Sequence, residues 1–199
     1  MNWNDFAREV HQTAVENGLW DKPRSLDEVI CECLVHLGRA YEEHRSGRPN
    51  YYHLCQPSGE KEHPCDWDLR KPCPLSTGKL ACEHRDRKPH GAAVELGECV
   101  LRVLDYLAIS EEGPMLPIEP LVPGGDFAKV ICDLHGQLAD ARRCNQKGGR
   151  CAAEGYMHLC IEIICGLAAR EGIDLESILR ELHGCEKARA ERRGDGRDG

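Results

Sequence analysis

Glu95 and Glu98 stand three residues apart in the stretch Lys88-Pro-His-Gly-Ala-Ala-Val-Glu-Leu-Gly-Glu-Cys-Val-Leu-Arg-Val-Leu-Asp-Tyr106. On a helix that spacing aims two carboxylates at one point, which is half of a divalent-cation site. A hard ion such as Mg2+ takes carboxylate oxygens together with phosphate oxygens, so the pair beside a deep apolar stripe suggests a phosphate-bearing substrate held through metal. The other half of the site has to come from a second helix. The competing reading is a solvated first turn whose acidic residues are favoured by the helix dipole.

The elements that would position such a site are helical. Residues 4 to 18 form a short amphipathic helix with Phe6, Val10 and Ala14 on one side, ended by Asn17-Gly18, with Trp20 at the exit. Ser25-Leu-Asp-Glu28 is a capping box. It opens a helix with Val29, Ile30, Cys33, Leu34, Leu37 and Tyr41 as its core face, stopped by Gly47 and Pro49. A helix from about 91 to 110 is apolar almost all round, with Val94, Cys99, Leu101, Val103, Leu104 and Leu107, and such a helix is buried. A Pro-rich linker at 113–124 leads to helices at about 125–143, 152–171 and 174–192.

An internal echo organises these helices. Val29-Ile-Cys-Glu32, then Leu37 and Ala40, recur as Val130-Ile-Cys-Asp133, then Leu138 and Ala141. Leu101-Arg-Val-Leu-Asp-Tyr-Leu-Ala108 is matched by Ile161-Glu-Ile-Ile-Cys-Gly-Leu-Ala168. Two helix pairs in the same order suggest a tandem duplication, each pair completing its core on the other, with chance likeness of helical sequences as the alternative. The second copy has Gly155 and His158 where the first has Glu95 and Glu98.

Composition agrees with an all-α chain. Of 199 residues, 41% are hydrophobic, 30% charged and 5% aromatic, enough for a core but a poor match to a sandwich or barrel. The net charge of -8 argues against an extended nucleic-acid or anionic-membrane surface, while free nucleotides remain compatible. The N-terminus lacks a basic and an apolar leader region, and no uncharged apolar run approaches a membrane span, so a cytoplasmic location with no membrane partner is expected. Thirteen cysteines are an odd number without a secretion signal, which argues against a complete disulfide framework. Cys31, Cys99, Cys132, Cys160 and Cys165 fall inside helical apolar patterns and are expected to pack as small hydrophobes.

Three stretches carry a likeness to a known family: His11-Gln-Thr-Ala-Val-Glu-Asn-Gly-Leu-Trp20, the helix end Ala40-Tyr-Glu-Glu-His-Arg45, and residues 88 to 105. In these the chain resembles the MazG-like all-α nucleoside triphosphate pyrophosphohydrolases, closely over 1–48 and 88–110 and more loosely to about 193. The resemblance implies a helical bundle in which E-x-x-E on one helix and E-x-x-D on the next hold Mg2+ or Mn2+. It also implies cleavage of a nucleoside or deoxynucleoside triphosphate to monophosphate and pyrophosphate. Glu95 and Glu98 fall on the second motif, Glu98 replacing Asp. The first motif falls on His36-Leu-Gly-Arg39, where Arg cannot bind a cation and a neutral His is a softer ligand. Glu32, one turn before His36, and Asp133 or Asp140 from the second copy are the candidates to replace the missing carboxylates. The resemblance also places Lys88, Lys187 and Arg189 near phosphates, and Trp20 is either a base-stacking or a core-plugging residue.

Between Pro49 and Pro89 the helical periodicity is lost, and Cys55, Cys65, Cys73 and Cys82 stand among His53, His63 and His84. These supply enough ligands for a structural Zn2+, although no C-x2-C or C-x4-C knuckle is present. Free thiols in a loop and a redox-dependent disulfide are the alternatives.

The sequence thus leads to these expectations. One all-α domain spans 1–193, its first repeat at 1–48 plus 88–112, a Cys/His-rich insert at 49–87, a second repeat at 125–193 and a disordered tail at 194–199. The domain is expected to be a MazG-like pyrophosphohydrolase, monomeric or homodimeric, with a catalytic pair Glu95 and Glu98 and further metal ligands Glu32 and His36. The alternative is a catalytically impaired relative that binds nucleotide or metal in a scaffold or regulatory role.

Overall fold

The computed structural model describes residues 1–55, 63–65, 89–109 and 117–195, with the backbone alone at 53–55, 63–65 and 193–195. Among the described residues six helices carry the fold: α1 (Trp3–Glu16), α2 (Leu26–Arg45), α3 (Ala92–Leu107), α4 (Phe127–Gln146), α5 (Arg150–Arg170) and α6 (Leu175–Asp195). Among the described residues the fold is all-α apart from a three-residue ladder, β1 (His53–Cys55) paired antiparallel with β2 (His63–Cys65). The ladder falls within the Cys/His-rich insert, of which 56–62 and 66–87 lie outside the described residues. Cys73, Cys82, His84 and Lys88 lie outside the described residues.

The helix starts are set by local chemistry. Ser25 accepts a bond from the Glu28 amide while the Glu28 carboxylate accepts from the Ser25 amide, a reciprocal cap worth about 1 kcal/mol. Asp126 caps α4 in the simpler way, through the Lys129 amide. Gly18 and Gly47, at positive φ, follow the ends of α1 and α2, as the C-terminal glycine signal requires.

α2 and α4 are twenty residues each, and they bury corresponding positions: Leu26 and Phe127, Val29 and Val130, Ile30 and Ile131, Cys33 and Leu134, Leu37 and Leu138, Ala40 and Ala141. α2 packs chiefly on α3 and α4 chiefly on α5, and the two hairpins then close on each other. Asp27 pairs with Arg142 at 3.2 Å and His44 stacks on Phe127 at 4.0 Å, so α2 and α4 run antiparallel. The core is the layer between the hairpins, with Leu37, Leu101, Leu104, Leu138, Ile161 and Ile164 fully enclosed.

α3 is the axis of the molecule, contacting α1, α2, α5 and α6 and burying all but two of its residues. α6 reaches α3 over Gly97, where a methyl group would stand 3.0 Å from Leu182. The linker into α4 crosses α5 at Gly166. The Leu121 amide donates to the Glu162 carbonyl at 3.0 Å, and a Cβ at 166 would collide with the Leu121 carbonyl. α5 has the length and apolar content to cross a membrane, and half of that stretch is buried in the protein interior.

Two packing expectations need correction. Cys31 and Cys132 are exposed, because each sits one position past a buried isoleucine, about 100° further round the helix and on its outer face. Tyr41 is likewise exposed, being next to buried Ala40.

Candidate functional site

His36 of α2 and Glu98 and Arg102 of α3 come together with residues of α6 around one cavity. His36 Nδ1 donates to the Glu95 carboxylate at 2.8 Å. Glu95 of α3 thus meets α2 at His36, one of the two residues at the first-motif positions, through a charged hydrogen bond. Arg39, the other residue at the first motif, is exposed.

Glu98 is 5% exposed, and Arg102, one turn further along α3, reaches it at 3.4 Å. The same guanidinium lies 2.6 Å from Glu186 of α6 and 4.0 Å from Glu32 of α2. Arg102 thus stands among three carboxylates supplied by three helices. Burial works against its charge, but Glu186, Glu98 and Glu32 more than offset this and raise its pKa, so the guanidinium is held protonated. Glu32 is also 2.5 Å from Arg24, which continues at 3.1 Å to Asp105. Asp105 is fully buried, and it accepts further bonds from the Trp20 indole at 2.9 Å and from His11 at 2.8 Å. Burial raises the Asp105 pKa, with His11, Trp20 and Arg24 opposing. An ionic chain therefore runs from the loop after α1 to α6.

A cavity of about 440 Å³ opens beside this chain, within the size range of small-ligand sites. It is lined by His36, Glu98 and Arg102 at its base and by Glu181, Glu186, Arg189 and Arg192 along α6. Tyr51 donates its hydroxyl to Glu181 at 2.5 Å. Arg189 and Arg192 are exposed at the mouth.

The sequence-derived residues distribute unevenly around this centre. Glu98, His36 and Arg189 line the cavity, Glu95 sits behind His36, and Glu32 joins through Arg102. Trp20 faces Asp105, and Lys187 is exposed on α6 away from the cavity lining. Asp133 and Asp140 do not approach Glu95 or Glu98. They line a separate groove against the 121–125 linker and pair with Lys129 and Arg143. Sequence reasoning missed Arg102, Glu186, Arg24 and Asp105. Of these, Arg102 carried a readable signal, the i,i+4 spacing from Glu98.

The two acidic residues of α3 are both engaged by cationic or donor side chains. A bound ion needs carboxylate oxygens free to turn toward it, whereas Glu95 is engaged by His36 and Glu98 by a guanidinium. Among the described residues no group of three or more His, Cys, Asp or Glu side chains is arranged to hold a metal. No family model, curated protein or solved structure matches the chain.

Proposed function

We propose that the chain is a MazG-like helical protein that binds the phosphate groups of a free nucleotide in the α3–α6 cavity, without metal-dependent turnover, and serves a binding or regulatory role. The observation that carries this reading is Arg102, whose guanidinium lies among Glu32, Glu98 and Glu186. A fixed cation here neutralises the carboxylates that a hydrolytic metal site would need, while leaving a polar cavity in place. Chemistry in which an ion orients water against a triphosphate requires those carboxylates to be free.

Phosphate recognition falls to Arg189 and Arg192 at the cavity mouth, since a guanidinium offers two parallel donors to phosphate oxygens. His36 adds a donor deeper in. The lining holds three guanidinium groups against three carboxylates, so net attraction is modest. A micromolar to millimolar dissociation constant, on the order of -4 to -8 kcal/mol, is expected.

Calorimetry with a panel of nucleoside mono-, di- and triphosphates in the presence of chelator tests this. Binding of at least one member, weakened about tenfold or more in Arg189→Ala/Arg192→Ala, is the expected result. Binding that needs Mg2+ or Mn2+ and ignores both arginines would sink the reading.

A further inference from the structure

The segment between α2 and α3 carries chemistry that the cavity does not use. Its strands read His53-Leu-Cys55 and His63-Pro-Cys65, the same His-x-Cys order twice. Alternate residues of a strand lie on one face, so His53 and Cys55 share a face of β1, and His63 and Cys65 share a face of β2. The antiparallel register sets His53 opposite Cys65 and Cys55 opposite His63, with Leu54 opposite Pro64 between them. Cross-strand partners belong to the same face. One face of the ladder is therefore made entirely of His and Cys, and the other of Leu and Pro. A slip of one residue would destroy this sorting, because every pairing would then mix the two kinds.

We propose that this ladder binds Zn2+, the backbone register bringing His53, Cys55, His63 and Cys65 together on one face as a Cys2His2 set. Two thiolates and two imidazoles are the borderline-soft set that zinc takes in closed four-coordinate sites. Ladder positions lie about 5 Å apart across the strands and about 7 Å along them, so the backbone gathers the four residues into one small patch. Zinc takes cysteine as thiolate, so binding would release thiol protons to solvent.

A second observation points the same way. An isolated two-stranded hairpin is marginal in water, and this one is only three residues deep. At its base the Tyr52 and His90 backbones exchange two hydrogen bonds, of 3.0 and 2.8 Å, so it hangs directly from the helical body. Metal binding supplies folding free energy that a ladder of this size lacks. The repeated His-x-Cys is invisible to a search for Cys knuckles because its partners meet across strands and not around a turn.

The test uses the full chain, equilibrated with Zn2+, desalted and assayed for zinc by mass spectrometry, with helix content followed by circular dichroism. One zinc per chain is expected, lost in Cys55→Ser/Cys65→Ser and in His53→Ala/His63→Ala, and kept in Cys73→Ser/Cys82→Ser, with helix content unchanged throughout. Co2+ substitution of the unmutated protein gives a reading that does not depend on any variant folding: tetrahedral visible bands with thiolate charge transfer are expected. A wild type without zinc, a ladder variant that retains it, loss of zinc in the Cys73/Cys82 variant, or an octahedral cobalt spectrum would each overturn the assignment.

Discussion

Arg102→Met removes the one guanidinium shared by α2, α3 and α6 while keeping most of the side-chain volume. Arg102 is 14% exposed in its side chain, Glu98 6% and Glu186 17%. Removing one partner of a buried ion pair costs about 3–5 kcal/mol, because the remaining charge stays buried without compensation. Here the cavity admits water and Glu32 is 42% exposed, so screening lowers the expected cost to about 2–4 kcal/mol. In a chain of this size each kcal/mol shifts the melting temperature by about 2–4 °C, so a fall of about 4–16 °C is expected. Arg8→Met is the matched control, since Arg8 pairs with Asp5 on the open surface at 71% and 54% exposure, and it should change stability by less than about 0.5 kcal/mol. Urea denaturation and thermal melts read both. The vacated carboxylates add a second signature. With about 10 mM Mn2+ and an assumed dissociation constant of about 1 mM, the variant would recover about 1.4 kcal/mol by linkage, and the wild type would recover none. A variant that melts within about 1 °C of wild type, or that responds to Mn2+ no more than wild type does, would refute the reasoning.

Three further outcomes follow from the same geometry. Gly166→Ala places a methyl group inside the contact distance of the Leu121 carbonyl oxygen. It should lift the linker off α5 at a cost of about 1–3 kcal/mol in urea denaturation, and a neutral result would mean that the linker is not packed there. Because burial raises the Asp105 pKa, the folded protein holds that proton more tightly than the unfolded chain. The group's stabilising contribution is then present below the ordinary aspartate value and lost as pH rises through the raised one. The stability of Asp105→Asn relative to wild type should therefore rise with pH across that acidic window, and a flat or falling difference curve would contradict it. Exposed Cys31, Cys132 and Cys151 should react with a thiol reagent in the native state. Cys99 and Cys160, buried and with thiol pKa values raised, should react only on unfolding, as mass spectrometry of the labelled peptides would show.

Much of the fold can be read from spacing because α1, α2 and α4 bury one face each while α3 is buried almost all round. The Ser25 box, the echo of Val29 and Ile30 in Val130 and Ile131, and the all-round apolar character of α3 each correspond to an observed start, a matching buried face and a central position. The misreadings come where identity and face disagree: Cys31 and Cys132 are small and apolar, yet the helical angle turns them outward. The site is legible only in part. His36 falls opposite Glu95 as its spacing requires, because both lie on helices whose register follows from their cores. The role of Arg102 is not legible, since it depends on Glu186 arriving from the far end of the chain, and the position of α6 is set by Gly97 and the packing over it. The apolar pattern likewise says nothing of cross-strand register, which is why the His-x-Cys repeat looks like scattered ligands in the sequence.

The proposed function turns on Arg102, whose guanidinium lies among Glu32, Glu98 and Glu186. The most direct measurement is pyrophosphate release from a nucleoside and deoxynucleoside triphosphate panel with Mg2+ or Mn2+, run beside nucleotide binding in chelator on the same preparation. Binding in chelator and no release above the uncatalysed rate with either metal are expected. Metal-dependent release that is lost in Glu98→Ala would contradict the proposed function, and would mean that Arg102 gives way to an ion during turnover.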